Sequence, residues 1–181
     1  MADPPAFESP VTTIGRTAGS GAITLTDESA IAKASVRAAD DTAAAAALGL
    51  TFGSAEARGD VLVCRSRPDE WTILGSADAV ESYLGEIDLS GHASTVDITH
   101  SRLMFRITGV LASKVLEKVC SIDFSDPMTP NGACVGASVA RVSCDLVRDD
   151  LDGVPSYRIL GDRSFGQYLF DALVDAKSEF G

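Results

Sequence analysis

The pentapeptide WTILG at residues 71–75 returns as YRILG at 157–161. A helical pattern follows each copy. Val80, Tyr83, Leu84 and Ile87 stand opposite Phe165, Tyr168, Leu169 and Ala172 at a constant offset of 85 residues. A repeated strand–helix unit within 181 residues restricts the chain to one compact domain, or to two small subdomains that share a core. The duplication sets Trp71 against Tyr157, two large aromatics at the start of a strand. That placement suits core or subdomain contact better than catalysis.

The elements around these anchors read in the same order on both sides. In IAKASVRA (31–38), Ala32, Ala34 and Val36 alternate with Lys33, Ser35 and Arg37, the period of a half-buried strand. Asp40 or Asp41 caps an alanine-rich helix that Gly49 ends. DVLVCR (60–65) and WTIL (71–74) are strands joined by the turn SRPDE, Ser76 caps a second helix, and STVDIT (94–99) closes the unit. Strand, helix, strand, strand, helix, strand is the split βαβ pattern of ferredoxin-like folds.

The second half opens with RLMFRIT (102–108), in which Leu103, Phe105 and Ile107 alternate with Arg102, Met104 and Arg106. Gly109 turns the chain into a helix with Ala112, Val115, Leu116 and Val119 on one face. ACVGASVARVSCDLV (133–147) reads as one or two strands, SYRIL (156–160) as the next, and residues 164–177 as the last helix. The expectation is an α+β domain over residues 23–181, made of two intertwined ferredoxin-like halves at about 28–99 and 100–178. Residues 1–22, with Pro4, Pro5, Pro10 and the run TAGSGA, read as a flexible N-terminal arm.

Charge narrows the partners. Twenty-six acidic residues against 15 basic ones give a net charge of −11, which repels phosphate backbones and anionic lipid. No nucleic acid and no membrane are expected, and a basic protein partner is compatible. No apolar run approaches the roughly 20 residues of a membrane span, and MADPPAFESP lacks the pattern of a secretory signal. The expected address is cytoplasmic, where Cys64, Cys120, Cys134 and Cys144 stay reduced. Without clustered Cys or His, no metal site is expected.

Catalytic motifs are scarce. TAGSGA is not a dinucleotide fingerprint, and neither a phosphate loop nor a nucleophile elbow occurs. Asp69 and Glu70 adjoin, but neighbours on extended chain point to opposite faces, so they read as a solvated turn. His100, near Asp97 and Arg102, has the setting of a general base or, more simply, of a turn histidine bonded to local backbone. Arg102 and Arg106 share a strand face and suit a carboxylate, whether a ligand's or a partner's. No catalytic residue is assigned.

Three stretches in order, RPDEWTIL, VDITHSRLMFRITGVLASKVLEKVCSIDF and YRILGDRSFGQYLFDAL, resemble the gamma subunit family of heterotetrameric sarcosine oxidase. That family is related to the folate-binding domain of aminomethyltransferase, the glycine-cleavage T-protein. The resemblance runs from about residue 28 to 177. It implies an aminomethyltransferase-like fold and an accessory role in one-carbon metabolism. The whole enzyme oxidatively demethylates sarcosine to glycine with FAD, covalent FMN, NAD and tetrahydrofolate. Those cofactors belong to the larger alpha and beta subunits, so none is expected in this chain. The aspartate-paired turn that holds the pterin in aminomethyltransferases is missing from ASVARVSCDLVRDD, where Asp145 is the one positional candidate.

On this reading the chain is a non-catalytic subunit, with Arg67, Asp69, Trp71, His100 and Arg102 as the expected contact residues. Trp71 then anchors an interface, locks the turn that presents Arg67 and Asp69, or simply packs in the core. The alternatives are a free-standing folate-binding one-carbon protein, which would bind tetrahydrofolate alone, and a homodimer when the chain is made without partners.

Overall fold

A computed structural model of the chain describes residues 6–12, 17–18 and 22–180. Among these, two antiparallel sheets lie face to face with helices on their outer sides. The first sheet contains β3 (Ala32–Ala38), β4 (Ser54–Arg58), β5 (Val61–Arg67), β6 (Glu70–Gly75) and β7 (Ala93–Asp97), in the order β4-β5-β6-β3-β7. The second contains β1 (Thr17–Ala18), β2 (Thr24–Asp27), β8 (Arg102–Thr108), β9 (Cys134–Val139), β10 (Val142–Arg148) and β11 (Ser156–Asp162), in the order β1-β2-β8-β11-β10-β9. Helices α1 (Ala43–Leu48) and α2 (Ala77–Gly85) cover the first sheet; α3 (Ala112–Val119) and α4 (Gly166–Ser178) cover the second.

Alternation in the strands explains the layering. On β3, Ala34 and Val36 face the helices while Lys33, Ser35 and Arg37 face the other sheet. On β8, Leu103, Phe105 and Ile107 pack under α3 and α4, and Met104 turns inward. A third apolar cluster therefore forms between the sheets, with Leu62, Cys64 and Leu74 against Met104, Cys134, Val147 and Leu160. All four cysteines are buried free thiols. Local capping agrees with the sequence: the Thr42 and Ser76 hydroxyls accept from the amides of Ala45 and Ala79 at the starts of α1 and α2. The cap of α1 is thus Thr42, one residue past the expected aspartates.

The elements follow in a like order in the two halves, β3-α1-β4-β5-β6-α2-β7 and β8-α3-β9-β10-β11-α4, the second lacking a counterpart of β7. Even a side-chain pair recurs. The Arg65 guanidinium lies 4.4 Å from the centre of the Trp71 ring, and the Arg148 guanidinium lies 5.8 Å from that of Tyr157. The match fails at one place. The first half ends on β7, which pairs with β3, whereas the strand beside β8 is β2, supplied by the N-terminal end of the chain. Thr24–Asp27, just ahead of the half expected from about residue 28, thus pairs within the second half's sheet.

Gly109 makes that crossing possible. Its φ is +142°, and a Cβ there would fall on the Ala22 carbonyl, 2.8 Å from its carbon and 2.9 Å from the Ile23 Cα. The arm is also more tied down than its composition suggests. Val11 is buried in the core under α4, Pro10 sits against Gly166, and the Thr12 amide donates to the Gln167 side chain at 2.8 Å. Residues 6–12 are therefore docked rather than free; half of the run TAGSGA, residues 19–21, falls outside the described residues.

Candidate functional site

The cleft between the sheets opens beyond the Leu160 end of the inter-sheet cluster into a polar cavity of about 530 Å³. Ser35 and Arg37 come from β3, Glu70 and Thr72 from β6, and Ser94 and Val96 from β7. Arg67, Arg102 and Asp145 complete the wall from β5, β8 and β10. Three of the residues singled out in the sequence, Arg67, Arg102 and Asp145, thus meet at one point.

Asp145 is the centre of that meeting. Its residue is buried, with Oδ2 accepting from Arg102 Nη2 at 3.2 Å and Oδ1 lying 3.6 Å from Arg67 Nη2. Arg102 also donates to the Leu160 carbonyl at 3.4 Å. Arg67 reaches the cavity because the pairing of β5 with β6 shifts between Cys64 and Arg67. In a regular strand, residues three apart face opposite ways; the bulge turns both to the inner side.

Glu70, read in the sequence as part of a solvated turn, is the second acid of the site. Its side chain is only 13% exposed; Oε1 accepts from Ser35 Oγ at 3.0 Å and Oε2 from Arg37 Nη2 at 3.1 Å, with Arg67 3.9 Å away. The legible signal was parity: Glu70 and Thr72 share one face of β6, and Ser35 and Arg37 the matching face of β3. Both carboxylates, one buried and one half-buried, are thus paired with arginines of the same chain, an arrangement that fixes side chains.

The other expected contact residues are dispersed. Asp69 is an exposed turn residue whose carbonyl accepts from the Ala38 amide at 3.1 Å. His100 is exposed in the turn before β8, its ring 5.6 Å from that of Phe7. Trp71 is 0% exposed and faces the helices, with Nε1 donating to the Gly49 carbonyl at 2.9 Å. It offers no surface to a partner, so of the three roles expected for it the burial favours core packing over interface anchoring. Arg106, expected to suit a carboxylate, is paired with acids of its own chain: Nε lies 2.9 Å from Glu28 and Nη2 donates to Asp149 at 2.8 Å. Arg158 joins the same pair of acids at 3.5 and 3.3 Å.

Lys33 is buried on the inner face of β3, its Nζ donating to the carbonyls of Ser29 and Ile31 at 2.8 and 2.7 Å. Burial lowers its pKa from 10.5 to about 8, partly offset by Asp27 and Asp97. Between those two values the unfolded chain holds a proton that the folded chain has lost, so this group makes stability rise with pH from about 8 to 10.5. Cys144, raised by burial to about 11, acts in the opposite sense. Urea titrations of the wild type and Lys33→Met at pH 7 to 10 isolate the lysine. The variant is expected to gain less stability, or lose more, on going from pH 8 to 10. Parallel profiles would contradict the burial.

Residues 30–179 match the family described as sarcosine oxidase, gamma subunit family. The chain belongs to that family. A curated relative, sarcosine oxidase subunit gamma of Corynebacterium sp. (strain U-96), is 28% identical over 177 residues, spanning 90% of this chain and 83% of the relative. The fold matches a chain of the heterotetrameric sarcosine oxidase from Corynebacterium sp. U-96, solved in complex with pyrrole 2-carboxylate. The TM-score is 0.76 at 24% identity, covering 91% of this chain and 88% of that one. It also matches the glycine cleavage system aminomethyltransferase T of Bartonella henselae, with a TM-score of 0.66 at 12% identity, over 84% of this chain but 45% of that one. The expected aminomethyltransferase-like architecture is therefore present in a sarcosine oxidase gamma-family chain.

The family relationship raises the question of folate. A carboxylate that holds a pterin must be free to accept its hydrogen bonds. Asp145 accepts from Arg102 and faces Arg67 at 3.6 Å, and Glu70 accepts from Ser35 and Arg37. A pterin at either acid would have to share it with those partners.

Proposed function

We propose that this chain is the accessory gamma subunit of a heterotetrameric, sarcosine oxidase-type flavoenzyme that oxidatively demethylates sarcosine or a related N-methyl amino acid. The observation that carries the reading is correspondence along nearly the whole chain with a curated gamma subunit, 90% of one and 83% of the other. The internal neutralisation of Asp145 and Glu70 supports a structural rather than a catalytic part. FAD, FMN, NAD and tetrahydrofolate are assigned to the larger alpha and beta subunits, and the complex to the cytoplasm. No helix among the described residues is long and apolar enough to cross a membrane. Arg67, Asp69 and His100 keep exposed surface and are assigned to assembly contacts, with Arg102 holding the cleft wall behind them.

Co-expression with candidate larger subunits and purification through a tag on this chain tests the proposal. Co-elution of flavin-containing chains in fixed stoichiometry is the expected result, and a colourless chain eluting alone would overturn it. The likeness to aminomethyltransferase T keeps a second reading in view, a free-standing folate-binding protein. Saturable tetrahydrofolate binding by the isolated chain would support that reading; the accessory-subunit reading expects none.

A further inference from the structure

The strand orders of the two sheets differ at one edge. In the second sheet the order runs β1-β2-β8, so β2 is covered on its outer side by β1. In the first sheet β7 takes the place of β2 beside β3, and among the described residues no strand pairs with its outer edge.

The backbone of that edge is available for pairing. At the two ends of the ladder the Ile98 amide donates to the Lys33 carbonyl and the Ala39 amide to the His92 carbonyl. Antiparallel alternation then turns Ser94 and Val96 toward β3, and directs the backbone groups of Ala93, Thr95 and Asp97 outward. Residues 94–97 are exposed, Val96 at 59%, and the edge carries no proline, lysine or bulge of the kind that blocks strand addition. Both flanks have room for side chains of an added strand. On the inner side Val96 and Ser94 border the 530 Å³ cleft; on the outer side a cavity of about 320 Å³ separates Thr95 and Asp97 from Val80, Glu81 and Leu84 of α2.

Charge selects the occupant. From Ser76 to Ser101 the sequence contains no lysine or arginine, whereas Asp78, Glu81, Glu86, Asp88 and Asp97 are all exposed. A second copy of a chain with net charge −11 is repelled from such a surface. We propose that the outer edge of β7 receives an extended, basic segment of a larger partner subunit as the sixth strand of the first sheet. Alternate residues of that segment enter the two cavities, and its lysines or arginines meet Glu81 and Asp97. The inference rests on the accessory-subunit reading and adds the surface through which assembly occurs.

Residue-resolved hydrogen exchange of the assembled complex against the isolated chain tests it. The Thr95 and Asp97 amides are expected to exchange at least tenfold more slowly in the complex. Thr95→Pro, which removes an outward donor and leaves the bonds to β3 in place, is expected to weaken assembly at least tenfold, while Thr95→Val assembles normally. A melting curve of the isolated Thr95→Pro chain separates lost assembly from lost folding; if the variant does not fold, the wild-type exchange data decide. A flavin-containing complex whose Thr95 and Asp97 amides exchange as in the free chain overturns this inference alone. Protection of those amides in the isolated chain, rising with its concentration, assigns the edge to a second copy and overturns it as well. Failure to recruit any larger subunit overturns the inference and the subunit reading together.

Discussion

Trp71→Ala is expected to lower stability by about 3–5 kcal/mol, the range for truncating a large buried aromatic. Trp71 is wholly buried among Val36, Leu48, Val63 and Ile73, and its indole holds the Gly49 carbonyl at the C-terminal end of α1. That helix has only six residues, too few to persist without tertiary support. Truncation therefore removes packing, unfastens α1 and strips the Arg65 guanidinium of its aromatic face. Urea unfolding followed by circular dichroism measures the loss; a change under 1 kcal/mol would contradict the placement. Trp71→Phe keeps most of the apolar area and is expected to cost about 1–2 kcal/mol, mainly the indole hydrogen bond and its unpaired carbonyl. Once folded, that variant should assemble like the wild type, because Trp71 presents no surface.

The second large effect is expected at Gly109. Alanine there meets two obstacles together, a φ of +142° that L-residues rarely adopt and a Cβ placed on the Ala22 carbonyl. The chain cannot shift freely, since the Gly109 amide is tied to the Pro155 carbonyl at 2.9 Å. The give must come from β2, which pairs Thr24 with Thr108 and Leu25 with Ile107 and buries Ile23 and Leu25. Detaching those two side chains from the core costs about 3–6 kcal/mol, and the loss should be local before it is global. Faster hydrogen exchange over residues 23–27, with little change over β5 and β6, is the expected signature. Uniform destabilisation of both sheets would mean that β2 is not the yielding element.

These residues also mark how far the sequence could be read. The repeated WTILG and YRILG, the alternation in RLMFRIT and the helical stripes are local signals, and they located β6, β11, β8 and the helices. β2 is different. TLTD is four residues long, and its partner β8 lies some 80 residues away in the chain, so no periodicity inside it reveals where it pairs. The short strand SAEAR, β4, escaped for a similar reason: it holds one edge of the first sheet, and its alternation rests on two alanines alone, Ala55 and Ala57.

At the cleft, Arg67, Arg102 and Asp145 were recognisable as residue types, but their convergence depends on the β5–β6 bulge and on two sheets meeting face to face. Neither is encoded in neighbouring residues. The bulge also decides between the adjacent acids, leaving Asp69 in solvent and Glu70 among Ser35, Arg37 and Arg67. Trp71 shows the reverse case. Its composition-level promise as a contact anchor gives way to burial, because β6 is flanked by β5 and β3 and its helix-facing side is covered.

Native mass spectrometry of the enzyme purified through this chain tests the central claim most directly. The account predicts one copy of the 18.8 kDa chain bound to larger flavin-containing subunits in a single heterotetrameric mass. A spectrum showing only the 18.8 kDa species, or multiples of it without flavin, would contradict the account.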